Sequence, residues 1–349
     1  MHSHPSVTID AGVLAVPDAV CSSGEAYQYV DTLLDWSTLL NEPWFAIYMS
    51  ERAAESLFND DLYPLRNRLR ELFDTHGIVE YDVNTVARLA NQLLEITPSF
   101  ETCYKVNDVL TEQFETEPDV PHSTSYAGLQ SDLTRCLVLI AVLRKHCLQP
   151  LVGHSLILKE APQQVIRIRA EIHDIEHTRD DIPPLPSPPE LFEGDVQVCD
   201  DFRGLIYCLD ESTIFSDATG DLGIELAIRI AMYKHSMDQG EIPDWSNVSL
   251  PVIGPKFREF CLACCNDQAD ALPGKILRSI VETVKGQNLS AVHALRTGIG
   301  GGNPQRLRGS DKAQRRDIDR EFHIHYWECD TGIIELAAVV YHNDFSIPT

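Results

Sequence analysis

Apolar positions along this chain fall into two patterns. Some form short unbroken runs, and others recur three and four residues apart. Residues 7–16, "VTIDAGVLAV", are mostly apolar and predict a buried strand that ends near an acid. In "EAYQYVDTLLDWSTLL" the side chains of Tyr29, Leu33, Trp36 and Leu40 share one helical stripe. A second run, "WFAIYMS", leads into "ERAAESLF", which has helix composition, and Ser50 is placed to cap it. Helices are predicted over "LYPLRNRLRELFDTHG", "VNTVARLANQLLEI" and "SDLTRCLVLIAVLRKH", the last running into a short strand at "QPLVGHS". This order of strands and helices predicts an α/β domain with a parallel sheet. Gln164–Ile175, "QVIRIRAEIHDI", alternates with period two and predicts another strand.

Two breaks interrupt the pattern. "IPPLPSPPE" at 182–190 carries five prolines and excludes helix and central strand, so it predicts a stiff linker or an extended arm. "GIGGGNP" at 298–304 predicts a loop, and it has the spacing of neither common nucleotide-binding glycine motif. The expected organisation is an α/β domain over 1–180, a proline-rich linker over 181–193, a mainly helical region over 194–268 and a small α+β domain over 269–349. In the last, "FHIHYWE" and "IIELAAVVYH" predict a hairpin turning at "CDTG".

Composition changes this picture mainly through charge. The 349 residues carry a formal net charge of −25. Such a chain repels nucleic acid unless positive charge is concentrated somewhere. Residues 271–320 are such a place, with ten basic and four acidic side chains. The N-terminal residues lack the pattern of a secretory signal, and no apolar run is long enough to span a bilayer. Ten cysteines without framework spacing then predict reduced thiols in a cytoplasmic protein. "CLACC" at 261–265 lacks the second ligand pair of a structural zinc site and reads as helix thiols.

Candidate chemistry in the N-terminal half rests on three carboxylates at strand and helix ends: Asp10, Glu55 and Asp132. Gathered in one cleft, they would suit Mg²⁺ or Mn²⁺. The stretches "TIDAGVL", "IYMSERAAESL" and "SDLTRCLVLIAVLRKHCLQPLVGHSLIL" resemble, in order and spacing, the PIN-like nuclease domain. That resemblance implies a parallel sheet flanked by helices, with Asp10, Glu55 and Asp132 as metal-binding acids. It departs at the fourth acid, where this sequence has His154 and Ser155.

In the C-terminal half, period two sets Glu321, His323, His325 and Trp327 on one strand face and Phe322, Ile324 and Tyr326 on the other. His342 stands at the end of the next strand. Histidine can shuttle a proton near neutrality and arginine can hold phosphate. The stretch "RGSDKAQRRDIDREFHIHYWECDTGIIELAAVVYHNDF" looks like the second half of RelE-type toxins, with "PGKILRSIVETVKG" and "NLSAVHALRTG" as leading helices. The resemblance implies catalysis by His323, His342, Arg315 and Arg316, and Arg306, Arg308 and Lys312 are the nucleic-acid contacts expected from the basic segment.

Together these readings predict a nuclease-like protein acting on RNA or DNA, with RNA favoured, in a prokaryotic toxin or anti-phage defence setting. A protein partner from a neighbouring gene is expected, and no membrane. The alternative is a non-catalytic subunit that docks into a larger complex through degenerate nuclease folds.

Overall fold

A computed structural model describes residues 5–40, 45–120, 124–146, 154–161, 163–266, 271–298 and 302–348. The chain divides into two units, Met1–Leu209 and Asp210–Thr349. Both mix helices with a six-stranded sheet.

The first unit opens with β1 (Ser6–Ile9), α1 (Ala11–Leu14), α2 (Ser23–Leu39), β2 (Ala46–Met49) and α3 (Ala53–Asn59). It continues with α4 (Arg66–His76), α5 (Val83–Ile96), α6 (Phe100–Tyr104), β3 (Val106–Glu117) and α7 (Ala127–His146). It ends with β4 (His154–Ile157), β5 (Val165–His177), β6 (Glu190–Cys199) and α8 (Phe202–Cys208). The sheet order is β2-β1-β4-β6-β5-β3. Strands β2, β1, β4 and β6 run parallel, while β5 and β3 are added antiparallel. The central strands β1 and β4 are buried along their whole length, as expected of parallel strands covered on both faces. Helix α7 is apolar around most of its circumference and is buried from Leu133 to Leu143 except at Thr134, in the same core cluster as Leu156, Ile166, Ile168 and Val196.

The predicted elements of this unit are present, with shifted limits. The first strand stops at Ile9 because the Asp10 carboxylate accepts from the Gly12 amide at 2.9 Å and starts a helical turn. Helix α7 starts at Ala127, a turn and more before Asp132. Its early amides at Gly128 and Leu129 are satisfied by the Asp60 carboxylate at 3.1 and 2.8 Å, a cap supplied from the end of α3. Of "QPLVGHS", only His154 and Ser155 lie within the described residues, and both belong to β4. Strand β3 has no strict alternation of apolar residues and was not expected. Its pairing with β5 shifts register three times, which blurs the period. The proline-rich segment joins β5 to β6 within the first unit, with Ile182 buried in the core, so the division between units falls at Leu209 rather than at 181–193.

The second unit contains α9 (Glu211–Ser216), α10 (Asp221–Asp238), β7 (Val252–Ile253), α11 (Phe257–Asn266) and α12 (Leu272–Val284). After these come β8 (Val292–Ala294), β9 (Leu307–Arg308), β10 (Asp311–Asp317), β11 (Phe322–Glu328) and β12 (Ile334–Tyr341). The sheet order is β7-β12-β11-β10-β8, with β9 paired to β10. The expected hairpin is β11–β12, and Gly332 at φ 82° makes its turn. The helical readings of 194–268 hold for α8, α10 and α11, where Cys261 is buried; the side chains of Cys264 and Cys265 lie outside the described residues.

One expectation for this unit fails. "NLSAVHALRTG" is not a helix but a single 3-10 turn, Leu289–Ala291, followed by β8. Pairing of Val292–Ala294 with β10 satisfies the backbone there, and local helix propensity loses to it. The basic run "DKAQRRD" is strand β10, held between β8 and β11. Among the described residues no helix is long and apolar enough to cross a membrane.

Candidate functional site

The first unit gathers a buried polar cluster beside the ends of β1 and β2. Its members are Asp10 after β1, Ser50 after β2, Glu101 on α6, and Asp132 and Arg135 on α7. All five are buried. The Ser50 hydroxyl donates to Asp132 Oδ1 at 2.5 Å and lies 3.3 Å from Glu101 Oε1. Arg135 Nη2 donates to Ser50 Oγ at 2.7 Å and forms an ion pair with Glu101. Its contact to Asp132 is 3.4 Å, one helical turn back on the same helix. The second Glu101 oxygen accepts from the Glu51 amide at 3.0 Å and from Ser99 Oγ at 3.1 Å. Glu101 is therefore fully engaged, and it anchors the guanidinium.

Asp10 and Asp132 are not fully engaged. Asp10 Oδ1 and Asp132 Oδ2 are both buried without a hydrogen-bond partner. Burial, reinforced by the charge of Asp132, pushes the Asp10 carboxyl up to about 7. Burial also raises Asp132, opposed by its bonds from Ser50 and Arg135. Glu101 and Asp132 share the one guanidinium, and Asp10 feels the charge of Asp132 in a poorly solvated space. Such an excess of negative charge is relieved by a proton or by a cation.

Of the three acids expected to meet here, Asp10 and Asp132 do so. Glu55 is exposed on the first turn of α3, and Glu101 takes the third place in the cluster. Nothing in the local pattern around Glu101 marks it. Only the placement of α6 beside β2, through the Met49–Ser99 bridge, brings it in. Ser50 does not cap α3, whose N-cap is Arg52 without a side-chain bond; it accepts from the Arg52 amide at 3.1 Å and serves the cluster. His154, at the position of the missing fourth acid, lies inside the sheet between Ser6 and Thr8, with ring nitrogens 2.8 and 3.1 Å from their hydroxyls. Burial pushes it down to about 3, so it stays neutral.

No known protein family, characterised protein or solved structure matches this chain. Among the described residues no three His, Cys, Asp or Glu side chains are arrayed to hold a metal ion. The unpartnered oxygens of Asp10 and Asp132 are hard donors of the type that Mg²⁺ or Mn²⁺ prefers.

The second unit holds the other expected constellation. Phe322, Ile324 and Tyr326 face the helices, as the alternation predicts, and His323, His325 and Trp327 face the other way. That second face is not free. All three side chains are buried, beneath the segment that follows β12. The His325 Nδ1–H donates to the Ser346 carbonyl at 2.7 Å and Trp327 Nε1 to the Pro348 carbonyl at 2.9 Å. Phe345 and Ile347 pack against Leu295, Ala313, Trp327 and Ala337. The rings of His323 and His342 lie 4.5 Å apart, as antiparallel pairing of their strands predicts, but only His342 is exposed. Burial pushes His323 down to about 4 against the pull of Asp317, whose Oδ1 is 3.0 Å from Nε2 but not aligned for a hydrogen bond.

The two arginines part company. Arg315 pairs with His325 and His293 on the histidine side. Arg316, fully buried, pairs with Ile324 on the helix side and binds Glu282 at 2.6 Å and the Gln287 carbonyl. Arg308 is spent on Glu335 and Asp311 and lies 4.8 Å over the Trp327 ring, and Arg306 Nε reaches the Arg296 carbonyl. Lys275 pairs with Asp319. Lys312 is exposed. Much of the local positive charge is thus consumed inside the fold.

Proposed function

We propose that this protein is a nuclease-like hydrolase of phosphodiester bonds, in RNA rather than DNA, with its reactive centre at Asp10 and Asp132 of the first unit. The observation that carries the reading is the pair of buried carboxylates whose free oxygens lack partners and whose affinity for protons is raised. Perturbed acids of this kind gather at catalytic sites. Asp10 and Asp132 would hold a divalent cation, with the Ser50 hydroxyl beside them. The cation would supply an activated water and charge neutralisation on the phosphate. A bound cation would hold Asp10 ionised, where burial alone favours its protonated form. Arg135 and Glu101 fix Ser50 and Asp132 in place.

The test is cleavage of an end-labelled single-stranded RNA by the purified full chain with Mg²⁺ or Mn²⁺. Cleavage should vanish in chelator and in Asp132→Asn while the fold survives. Activity that persists in Asp132→Asn places the chemistry elsewhere.

The second reading, a non-catalytic docking subunit, is favoured by Arg135. Its guanidinium already brings positive charge into the acid cluster. RNA and DNA left intact under both metals, together with stable co-purification of a partner protein, would select that reading.

A further inference from the structure

Residues 344–348 lie across the outer face of the second unit's sheet, and few contacts hold them there. Two side-chain donors, His325 and Trp327, reach backbone carbonyls of the segment, and two apolar side chains, Phe345 and Ile347, anchor it. The Asp344 carboxylate accepts from the Ser346 amide at 2.7 Å and contributes negative charge beside His325.

We propose that residues 344–348 are a displaceable strap, and that the face beneath binds the phosphate backbone of single-stranded RNA when the strap is lifted. The strap offers this face two carbonyl acceptors and the nearby negative charge of Asp344, features that a phosphate backbone also offers. Beneath it, polar atoms are left over. Nδ1 of His323, Nε2 of His325 and Nε of Arg315 are buried with no hydrogen-bond partner, and Nε2 of His323 meets only the poorly aligned Asp317 carboxylate at 3.0 Å. The two histidines are completely buried. Each such group carries a desolvation cost when left unpaired. A face built only to be covered sheds that cost with apolar residues, as Leu295, Ala313 and Ala337 do alongside it. The charged and titratable groups around the histidines are Arg315, Arg306, His342 and His293 against Asp317 and Asp344. Lifting the strap takes Asp344 away and tips the balance toward positive charge. The choice of RNA as ligand rests on the nucleic-acid reading above; the strap does not.

The experiment uses the full chain and a fluorescein-labelled oligouridylate read by anisotropy at low salt, where phosphate contacts are strongest. Phe345→Ser combined with Ile347→Ser removes the apolar anchors. Affinity is expected to rise about tenfold. Adding Arg315→Gln should cancel the rise. In parallel, diethyl pyrocarbonate should modify His323 and His325 in the opened variant and spare them in the parent. Trp327→Phe, which loses the bond to Pro348 and part of the ring surface under Phe345, Ile347 and Arg308, should show the same changes in smaller degree, and it carries the test if the double variant loses hydrogen-exchange protection in β10–β12. Histidines that become reactive with no gain in RNA affinity, a gain that survives Arg315→Gln, or histidines already reactive in the parent would each overturn the proposal. Cleavage is not the readout, so failure here leaves the Asp10–Asp132 reading standing, and loss of that reading leaves the strap standing.

Discussion

Replacing Asp10 with Asn should stabilise the first unit, and by more at high pH than at low. Asn keeps the shape of the side chain and an oxygen to accept from the Gly12 amide, and it removes the charge. The Asp10 carboxyl sits at about 7 in the folded chain against 3.8 for the ordinary group. A folded carboxyl raised in this way holds its proton more tightly than the unfolded one. Its contribution is therefore complete below the ordinary value, declines as pH rises, and is exhausted above about 7. Each pH unit of displacement is worth about 1.4 kcal/mol, so ionised Asp10 costs the fold about 4 kcal/mol at pH 8, less whatever local relaxation recovers. At pH 5 only about two-fifths of that cost has appeared. The advantage of Asp10→Asn should thus grow by about 2–3 kcal/mol between pH 5 and pH 8. Urea unfolding in chelator, read by hydrogen exchange of peptides from β1 and α7, confines the measurement to the first unit. Added Mg²⁺ should then stabilise the parent and narrow its gap to the variant. An advantage equal at both pH values, or an Asn variant less stable than the parent at pH 8, would refute the view that Asp10 and Asp132 form a strained acid pair.

Two further outcomes follow from buried polar groups outside that pair. His154 is held down to about 3, so its neutral form stabilises the sheet fully above about pH 6.5 and progressively less as pH falls toward 3; protection of β1 and β4 from hydrogen exchange should weaken over that range, and His154→Gln should flatten the decline. Arg316→Ala leaves Glu282 and the Gln287 carbonyl without their donor and opens a cavity beneath β10, so it should cost the second unit about 3–5 kcal/mol in urea unfolding, whereas Lys312→Ala on the same strand should cost under about 0.5 kcal/mol.

The sequence by itself determined most elements and the faces they bury. Helical spacing set Tyr29, Leu33 and Trp36 inward on α2, and period two set Phe322, Ile324 and Tyr326 against the helices on β11. Both are local consequences of backbone geometry, so local pattern suffices to read them. Asp10 was legible for the same reason, since it stands where a strand turns into a helix. What only the tertiary structure decided lies in contacts between residues distant along the chain. Glu101 replaces Glu55 beside Asp132 because α6 is set against β2, and no periodicity reports that. Arg315 and Arg316 are adjacent and chemically alike, yet strand pleat sends one to the histidines and the other into an ion pair with α12. His323 and His325 read as an open catalytic face because alternation fixes which side a residue occupies and says nothing of what lies on that side. Here it is residues 344–348, about twenty positions farther along the chain, whose apolar side chains and carbonyl oxygens gain more from covering the sheet than from water.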